Sequence, residues 1–590
     1  MLISVHRCLA IPSVNNRQQT NGSRFFMLIW EVGRQAKILV INFNLLLKIM
    51  PTLNWIGKDS VVKHHNDVPF RTLDKQYTFS SVGSEQSADI KSDNKIIHGD
   101  NLEALKALLP EYEGRIKCIY IDPPYNTGNE NWVYNDNVNS PKIQKWLGQV
   151  VGKEAEDLSR HDKWLCMMYP RLSLLRQLLS DDGAIFISID DNEQANLKLI
   201  CDEIFGAGNF VGVWYWYRSA TPPNLSYKIK KNLEYVLAYE KNKSSIKYRG
   251  IQKSSKSDDP ITKPQNTFKI LTFASNTINF KNVEDGVIKA GTYGTSKFPN
   301  KLLNDIEIKD GKNVNDVSFE NRFIWVQETL NEQIANGTII NCSKQLVLSY
   351  KKNNYAPEVP PNLIDESVGV TTTEESGKLV DSIFGAKVFD FPKPPSLIEY
   401  IVNFLCDKSS IILDSFAGSG TTAHAVLNLN KQDGGNRKFI LVEMEDYAES
   451  ITAERVRRVI NGYGDGKNAV EGTGGSFSYY ELGEPIMIGD YINENQPVEK
   501  IKEYIWYSET HVPYCGDEDD KYYLGNHNGA GYYFYYEKGR ITTLSYDTLD
   551  IVEKRAEQYI IYADQCLIDK EDLLAKNIVF KKIPRDIRKF

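Results

Sequence analysis

The apolar run Ile116-Lys117-Cys118-Ile119-Tyr120-Ile121 stops at Asp122-Pro123-Pro124-Tyr125. Prolines fix φ and cannot donate to a β-ladder, so the run reads as a buried strand whose carboxyl end carries that tetrapeptide. The same grammar recurs from Lys95 onward. Lys95-Ile96-Ile97-His98 leads into Gly99-Asp100, and Leu102, Leu105, Leu108 and Leu109 then keep helical spacing. Residues 183–189 form another apolar run, ending at Asp190-Asp191 and flanked by helical patterns over 162–179 and 192–205. Short apolar runs alternating with amphipathic segments predict an α/β fold built on a mostly parallel sheet.

Beyond Gly208 the alternation gives way to a long region rich in Lys, Asn and Ser, which lasts to Phe391-Pro392-Lys393-Pro394-Pro395. Within it, Tyr235, Leu237 and Tyr239 alternate, and residues 234–240 read as one more strand of the central sheet. The α/β pattern then resumes: a helix over 396–406, a strand over 411–414, a Gly-rich turn, a helix from Thr421, and a strand over 439–443 that ends in an acid. The resulting division is 50–94 as an N-terminal segment, 95–210 and 388–475 as two halves of one α/β core, 211–387 as an insert, and 476–590 as a small, tyrosine-rich mixed domain. Residues 1–49 stand apart. Their apolar stretch, 38–47, is broken by Asn42 and Asn44, is too short to span a bilayer and precedes no small-residue cleavage site. Translation is expected to begin at Met50, with 1–49 a start-site artefact or a disordered extension.

Composition narrows the function. In 590 residues, 41% hydrophobic and 25% charged, the eight cysteines are scattered without a CxxC pair, which predicts neither a disulfide framework nor a zinc site and fits a cytoplasmic setting. A net charge of −7 argues against non-specific coating of nucleic acid and leaves room for a local basic groove.

The Gly-rich turn is Asp414-Ser415-Phe416-Ala417-Gly418-Ser419-Gly420-Thr421-Thr422. Between a buried strand and a helix, such glycines let backbone amides approach a ligand in the crevice outside the strand ends. Neither a dinucleotide fingerprint nor a phosphate loop is present. Glu443, at the end of the next strand, is placed to hold ribose hydroxyls, so the expected ligand carries a nucleoside without a phosphate chain; a plain strand-to-helix turn is the alternative. At Asp122-Pro123-Pro124-Tyr125, the carboxylate and the Pro123 carbonyl offer two acceptors for one NH₂ group, and Tyr125 offers a stacking face. That set suits the amino group of a base turned out of a duplex.

Asp122-Pro123-Pro124-Tyr125 and Phe416-Ala417-Gly418-Ser419-Gly420 resemble the catalytic and S-adenosylmethionine-binding motifs of amino-group DNA methyltransferases, in the order of that family's beta group. Asn54-Trp55-Ile56-Gly57-Lys58, His98-Gly99-Asp100-Asn101-Leu102, Tyr125-Asn126-Thr127-Gly128-Asn129, Asn135-Asp136-Asn137 and Lys581-Lys582-Ile583-Pro584-Arg585-Asp586-Ile587 are similar to the modification (Mod) subunits of type III restriction-modification systems. The resemblance covers roughly residues 50–590. It implies a Rossmann-like methyltransferase sheet with an inserted target-recognition domain, and transfer of a methyl group from S-adenosylmethionine to adenine N6 in double-stranded DNA without a metal. It also implies a homodimer and a Res helicase-nuclease partner. Asp122, Pro123, Pro124 and Tyr125 take the catalytic positions. Asp414, Phe416, Ala417, Gly418, Ser419, Gly420 and Glu443 take the cofactor site, with Asp100 on the cofactor's adenine and Lys393-Pro394 over its methionine part.

In the insert, Trp214, Arg218, Lys228, Lys230 and Lys231 are the candidates for contacting DNA, since Arg and Lys position phosphates or read guanine edges. Related proline-rich motifs also serve cytosine N4, RNA bases and protein glutamine amides; Asp before the prolines tilts toward adenine. A DNA-recognition subunit with a degenerate core is the non-enzymatic alternative.

Overall fold

The computed structural model describes residues 25–32, 35–42, 52–81, 92–127, 141–151, 159–220, 228–250, 258–295, 298–352, 357–516 and 520–585. The segments Gly128-Asn129, Asn135-Asp136-Asn137 and Asp586-Ile587, and most of 1–49, lie outside them. Within 1–49 the described backbone is a two-stranded antiparallel hairpin, Phe25–Val32 with Gln35–Asn42. Among the described residues no helix is long and apolar enough to cross a membrane.

The chain divides into two compact units, one made of residues 1–245 and 362–590 and the other of 246–361. The larger is organised around a ten-stranded sheet. Its strands run in the order Leu363–Ile364, Phe210–Tyr217, Leu233–Glu240, Leu179–Ile189, Ile116–Ile121, Ile411–Asp414, Lys438–Glu443, Lys95–His98, Ser476–Pro485 and Arg71–Ser80. From Leu179–Ile189 to Ser476–Pro485 the six strands are parallel. Parallel strands covered by crossover helices are apolar on both faces. Ile185, Phe186 and Ile187 in succession are accordingly buried, as are Phe439, Ile440, Leu441 and Val442. Leu233–Glu240, the further strand of this sheet expected over 234–240, pairs antiparallel with Leu179–Ile189.

The insert is narrower than the expected 211–387. Phe210–Tyr217 and Leu363–Ile364 are strands of the central sheet, and the separate unit is Ile246–Pro361. Its aromatic punctuation disguised the first of these strands: Trp214 and Trp216 point into the core while Tyr215 is exposed, which is the period of a strand with one covered face. The expected boundary at 476 moves for the same reason, since Ser476–Pro485 belongs to the central sheet. Beyond it, the helix Val498–Thr510 packs Ile505 and Trp506 into a core with Leu524, Tyr532 and Phe534 from a four-stranded sheet and with Ile583 just past its last strand. The 246–361 unit has a four-stranded and a seven-stranded sheet around its own core of Leu271, Phe273, Ile308, Phe319, Phe323 and Ile340.

Candidate functional site

Ile411–Asp414 lies between Ile116–Ile121 and Lys438–Glu443, parallel to both. From it the chain crosses through the helix Thr421–Asp433 to Lys438–Glu443 on one side, whereas Ile116–Ile121 continues through Arg160–Leu178 to Leu179–Ile189 on the other. The crossovers diverge at this pair of strands. That is the switch point where open α/β sheets leave a crevice beyond the strand ends, and both sequence motifs stand there.

The Gly-rich turn is held from beneath. Asp414, 3% exposed, accepts from the Phe416 N–H at 3.0 Å and the Thr422 hydroxyl at 2.5 Å. Glu443 accepts from the Gly418 N–H at 2.8 Å and the Glu445 N–H at 3.0 Å. Burial pushes both carboxyls up to about 7, against the pull of these hydrogen bonds. Gly420 has φ +81, and a Cβ there would sit 3.0 Å from the Thr452 carbonyl oxygen, so the turn needs glycine at that place. Arg455, fully buried, donates through one Nη to the Ser419 hydroxyl at 2.7 Å, the Thr421 hydroxyl at 2.9 Å and the Ser419 carbonyl at 3.3 Å. Nothing in the spacing around Arg455 pointed to this role, because a basic residue in a helix reads as solvated.

Beside the turn lies a cavity of ≈670 Å³ lined by Gly99, Asp100, Trp146, Met444 and Asp446 among others. Asp100 caps the helix Asn101–Tyr112, accepting from the Leu102 and Glu103 N–H groups at 2.9 and 3.1 Å, and pairs with buried Arg171 at 3.3 Å. Asp67, Glu103 and Asp446 add carboxylates to the same lining. Glu103 is paired with Arg71 at 2.8 Å, and Lys145, His64 and His98 share the lining, so the cavity is mixed in charge, with Trp146 and Met444 as an apolar wall. A flat base with polar edges fits such a wall beside a glycine turn and a buried glutamate, and the residues present fit S-adenosylmethionine, the group implied by the sequence resemblance.

At the other motif, Trp164 Nε1 donates to the Pro124 carbonyl at 2.7 Å, which leaves the Pro123 carbonyl as the acceptor expected beside Asp122. Lys393 Nζ lies 2.8 and 3.0 Å from the two Asp122 oxygens. Burial drives the Asp122 carboxyl above its usual range, with the Lys393 ammonium opposing. The Lys393 carbonyl accepts from the Ser376 hydroxyl at 2.9 Å and the Thr421 hydroxyl at 3.2 Å, and Pro394 caps the helix Pro395–Leu405. Expected over the methionine part of the cofactor, Lys393 here bridges the two motifs. Glu234, missed in the sequence because it opens an ordinary strand, accepts from the Tyr125 hydroxyl at 3.0 Å and from Arg218 at 2.6 Å. Burial would raise its carboxyl, but Lys393 and Arg218 together hold it below the usual range.

The DNA candidates separate. Trp214 is a core residue, packed against Phe186 and Phe404, and Arg218 is committed to Glu234; neither stands free for DNA as expected. Lys231 pairs with Asp191 at 2.9 Å, while Lys228 and Lys230 are exposed.

A family model described as DNA methylase matches residues 116–454, from the strand before Asp122 to the segment beyond Glu443. The chain belongs to the DNA methylase family. It is 32% identical over 428 residues to the type III restriction-modification enzyme EcoPI Mod subunit of Escherichia phage P1, covering 67% of this chain and 64% of that protein. It is 31% identical to the StyLTI Mod subunit of Salmonella typhimurium, covering 68% and 59%, and 31% identical to the type II methyltransferase M.KpnI of Klebsiella pneumoniae, covering 62% and 84%. This methylase thus spans about three fifths of the length of the Mod subunits it matches.

Proposed function

We propose that this methylase transfers a methyl group from S-adenosylmethionine to adenine N6 in double-stranded DNA, as the modification subunit of a type III system. The observation that carries the reading is the meeting of Asp122-Pro123-Pro124-Tyr125 and the glycine turn at one switch point, bridged by Lys393. The similarity to Mod subunits of type III enzymes supports the modification-subunit role; adenine as the target base, a Res helicase-nuclease as partner, a homodimer and a cytoplasmic setting are what the resemblance of the motifs implies.

S-adenosylmethionine supplies an electrophilic methyl group when bound. Gly418, Gly420 and Glu443 would hold its ribose end, and the cavity at Asp100 and Trp146 its base. An exocyclic amine is a weak nucleophile because its lone pair is delocalised into the ring. Asp122 and the Pro123 carbonyl accept its two N–H groups and favour the pyramidal nitrogen, while Tyr125 stacks on the flipped base. Orientation of the amine by fixed acceptors, in a site where they need not reorganise, supplies the acceleration.

Single-molecule sequencing of DNA from a methylation-free host expressing the chain, beside a host carrying Asp122→Ala, tests this. N6-methyladenine at one short motif, on one strand and lost in the variant, is the expected result. N4-methylcytosine would move the target base, and unmodified DNA from a folded, cofactor-binding protein would overturn the reading.

A further inference from the structure

Lys393 is shared by two carboxylates. Its Nζ is 2.8 Å from Asp122 and 3.5 Å from Glu234, and the rings of Tyr125 and Trp216 face it at 5.0 and 5.7 Å. Glu234 is 5% exposed, and its Oε2 also takes the Tyr125 hydroxyl, while Oε1 takes Arg218. We propose that Glu234 is a positioning residue of the transfer site: it holds Tyr125 through the hydroxyl and offers Lys393 a second carboxylate when Asp122 takes the target amino group. The inference rests on the amino-methyl transfer reading above.

The charges explain why a second carboxylate is needed. Asp122 and Glu234 balance Lys393 and the part-exposed Arg218. A lysine ammonium is a point charge on a flexible stem with three donors. It can pass between carboxylates that an arginine fork would lock together. Were Glu234 neutral, Lys393 could leave Asp122 only by becoming an unpaired buried cation, which is strongly unfavourable. The ammonium would stay on Asp122 and compete with the amino group for its oxygens. Tyr120 on the same strand, Asp414 on the neighbouring strand and Asp190 at the end of Leu179–Ile189 also face these carboxylates, and the variants below leave them in place.

The test uses the full chain labelled with ¹³C at aspartate carboxyls, with the Asp122 resonance assigned by its loss in Asp122→Asn. Lys393→Met removes a cation and should raise the Asp122 titration midpoint by about one unit, and Glu234→Gln removes an anion and should lower it by a similar amount, a tenfold change in proton affinity each way. In turnover, Glu234→Gln should lose about tenfold in kcat with KM for S-adenosylmethionine unchanged, a pattern that assigns the loss to the transfer step. Tyr125→Phe frees the ring and, because the hydroxyl also helps hold the Asp122 carboxylate ionised, should move the midpoint upward, opposite in sign to Glu234→Gln, so the loss of ring positioning and the loss of the second carboxylate read differently. An unmoved midpoint in Glu234→Gln, or a kcat loss matched by lost cofactor binding, overturns the inference. Opposite midpoint shifts in a protein that methylates no DNA would keep the positioning role and reject the transfer reading instead.

Discussion

Lys393 reaches Asp122 across 271 residues of sequence with two hydrogen bonds, while its own carbonyl accepts from Thr421 in the first turn of the helix that follows the glycine loop. One residue therefore links the group expected to orient the amine with the loop expected to hold the methyl donor before the target base enters. The backbone of Lys393 stays tied to the loop through Thr421, while its ammonium is the end free to pass to Glu234 when the amino group takes Asp122.

Replacing Gly420 by Ala places a Cβ 3.0 Å from the Thr452 carbonyl at φ +81. The left-handed conformation alone costs about 1–2 kcal/mol, and the close approach adds to it. Denaturant unfolding should show that loss, and calorimetric titration should show cofactor affinity falling by about tenfold.

Arg455→Met should cost about 2–4 kcal/mol of stability, because the Ser419 and Thr421 hydroxyls lose a charged donor inside the core. Arg455→Lys should recover part of it, as an ammonium can reach one of these oxygens but cannot fork to several. If both variants keep wild-type unfolding curves, the loop does not depend on this guanidinium.

Glu443 titrates near 7 in the folded chain against 4.5 for an ordinary glutamate. Between those values the native state binds the extra proton, so stability falls as pH rises from about 4.5 through 7 and then levels. The span corresponds to about 3 kcal/mol. Glu443→Gln has no such proton, and the difference in stability between wild type and variant should shift in the variant's favour between pH 5 and pH 8. A constant difference across that range would reject the assignment.

Lys228 and Lys230 are the two exposed lysines left among the DNA candidates. If they neutralise phosphates, Lys228→Gln with Lys230→Gln should flatten the slope of log K against log salt by about 2. Trp214→Phe should leave that slope unchanged and lower stability, since the indole lies in the core.

The ends of the strands were legible in the sequence because proline, glycine and aspartate announce them. Asp122 and the loop at Gly418 needed only local signals of that kind. Trp214 and Arg218 were misread because residues 210–217 were met after a break in the α/β alternation, where aromatic and basic side chains resemble an interaction surface. Their strand could be recognised only by its pairing with Leu233–Glu240. Glu234, Trp164 and Arg455 act through partners 16 to 109 residues away, and no local pattern records such distances.

The two central strands of the sheet pair Cys118 with Ile412, so although Leu179–Ile189 soon covers one edge of Ile116–Ile121, synthesis must continue for about three hundred residues before its other edge gains a neighbour. At ribosomal speed that wait is on the order of tens of seconds. Throughout it the nascent chain displays one unpaired edge of a mostly apolar strand, the kind of template that invites pairing with other chains. The compact unit at 246–361 is synthesised within the interval, and an organism making this protein quickly would draw on chaperones most heavily just before residue 411 emerges.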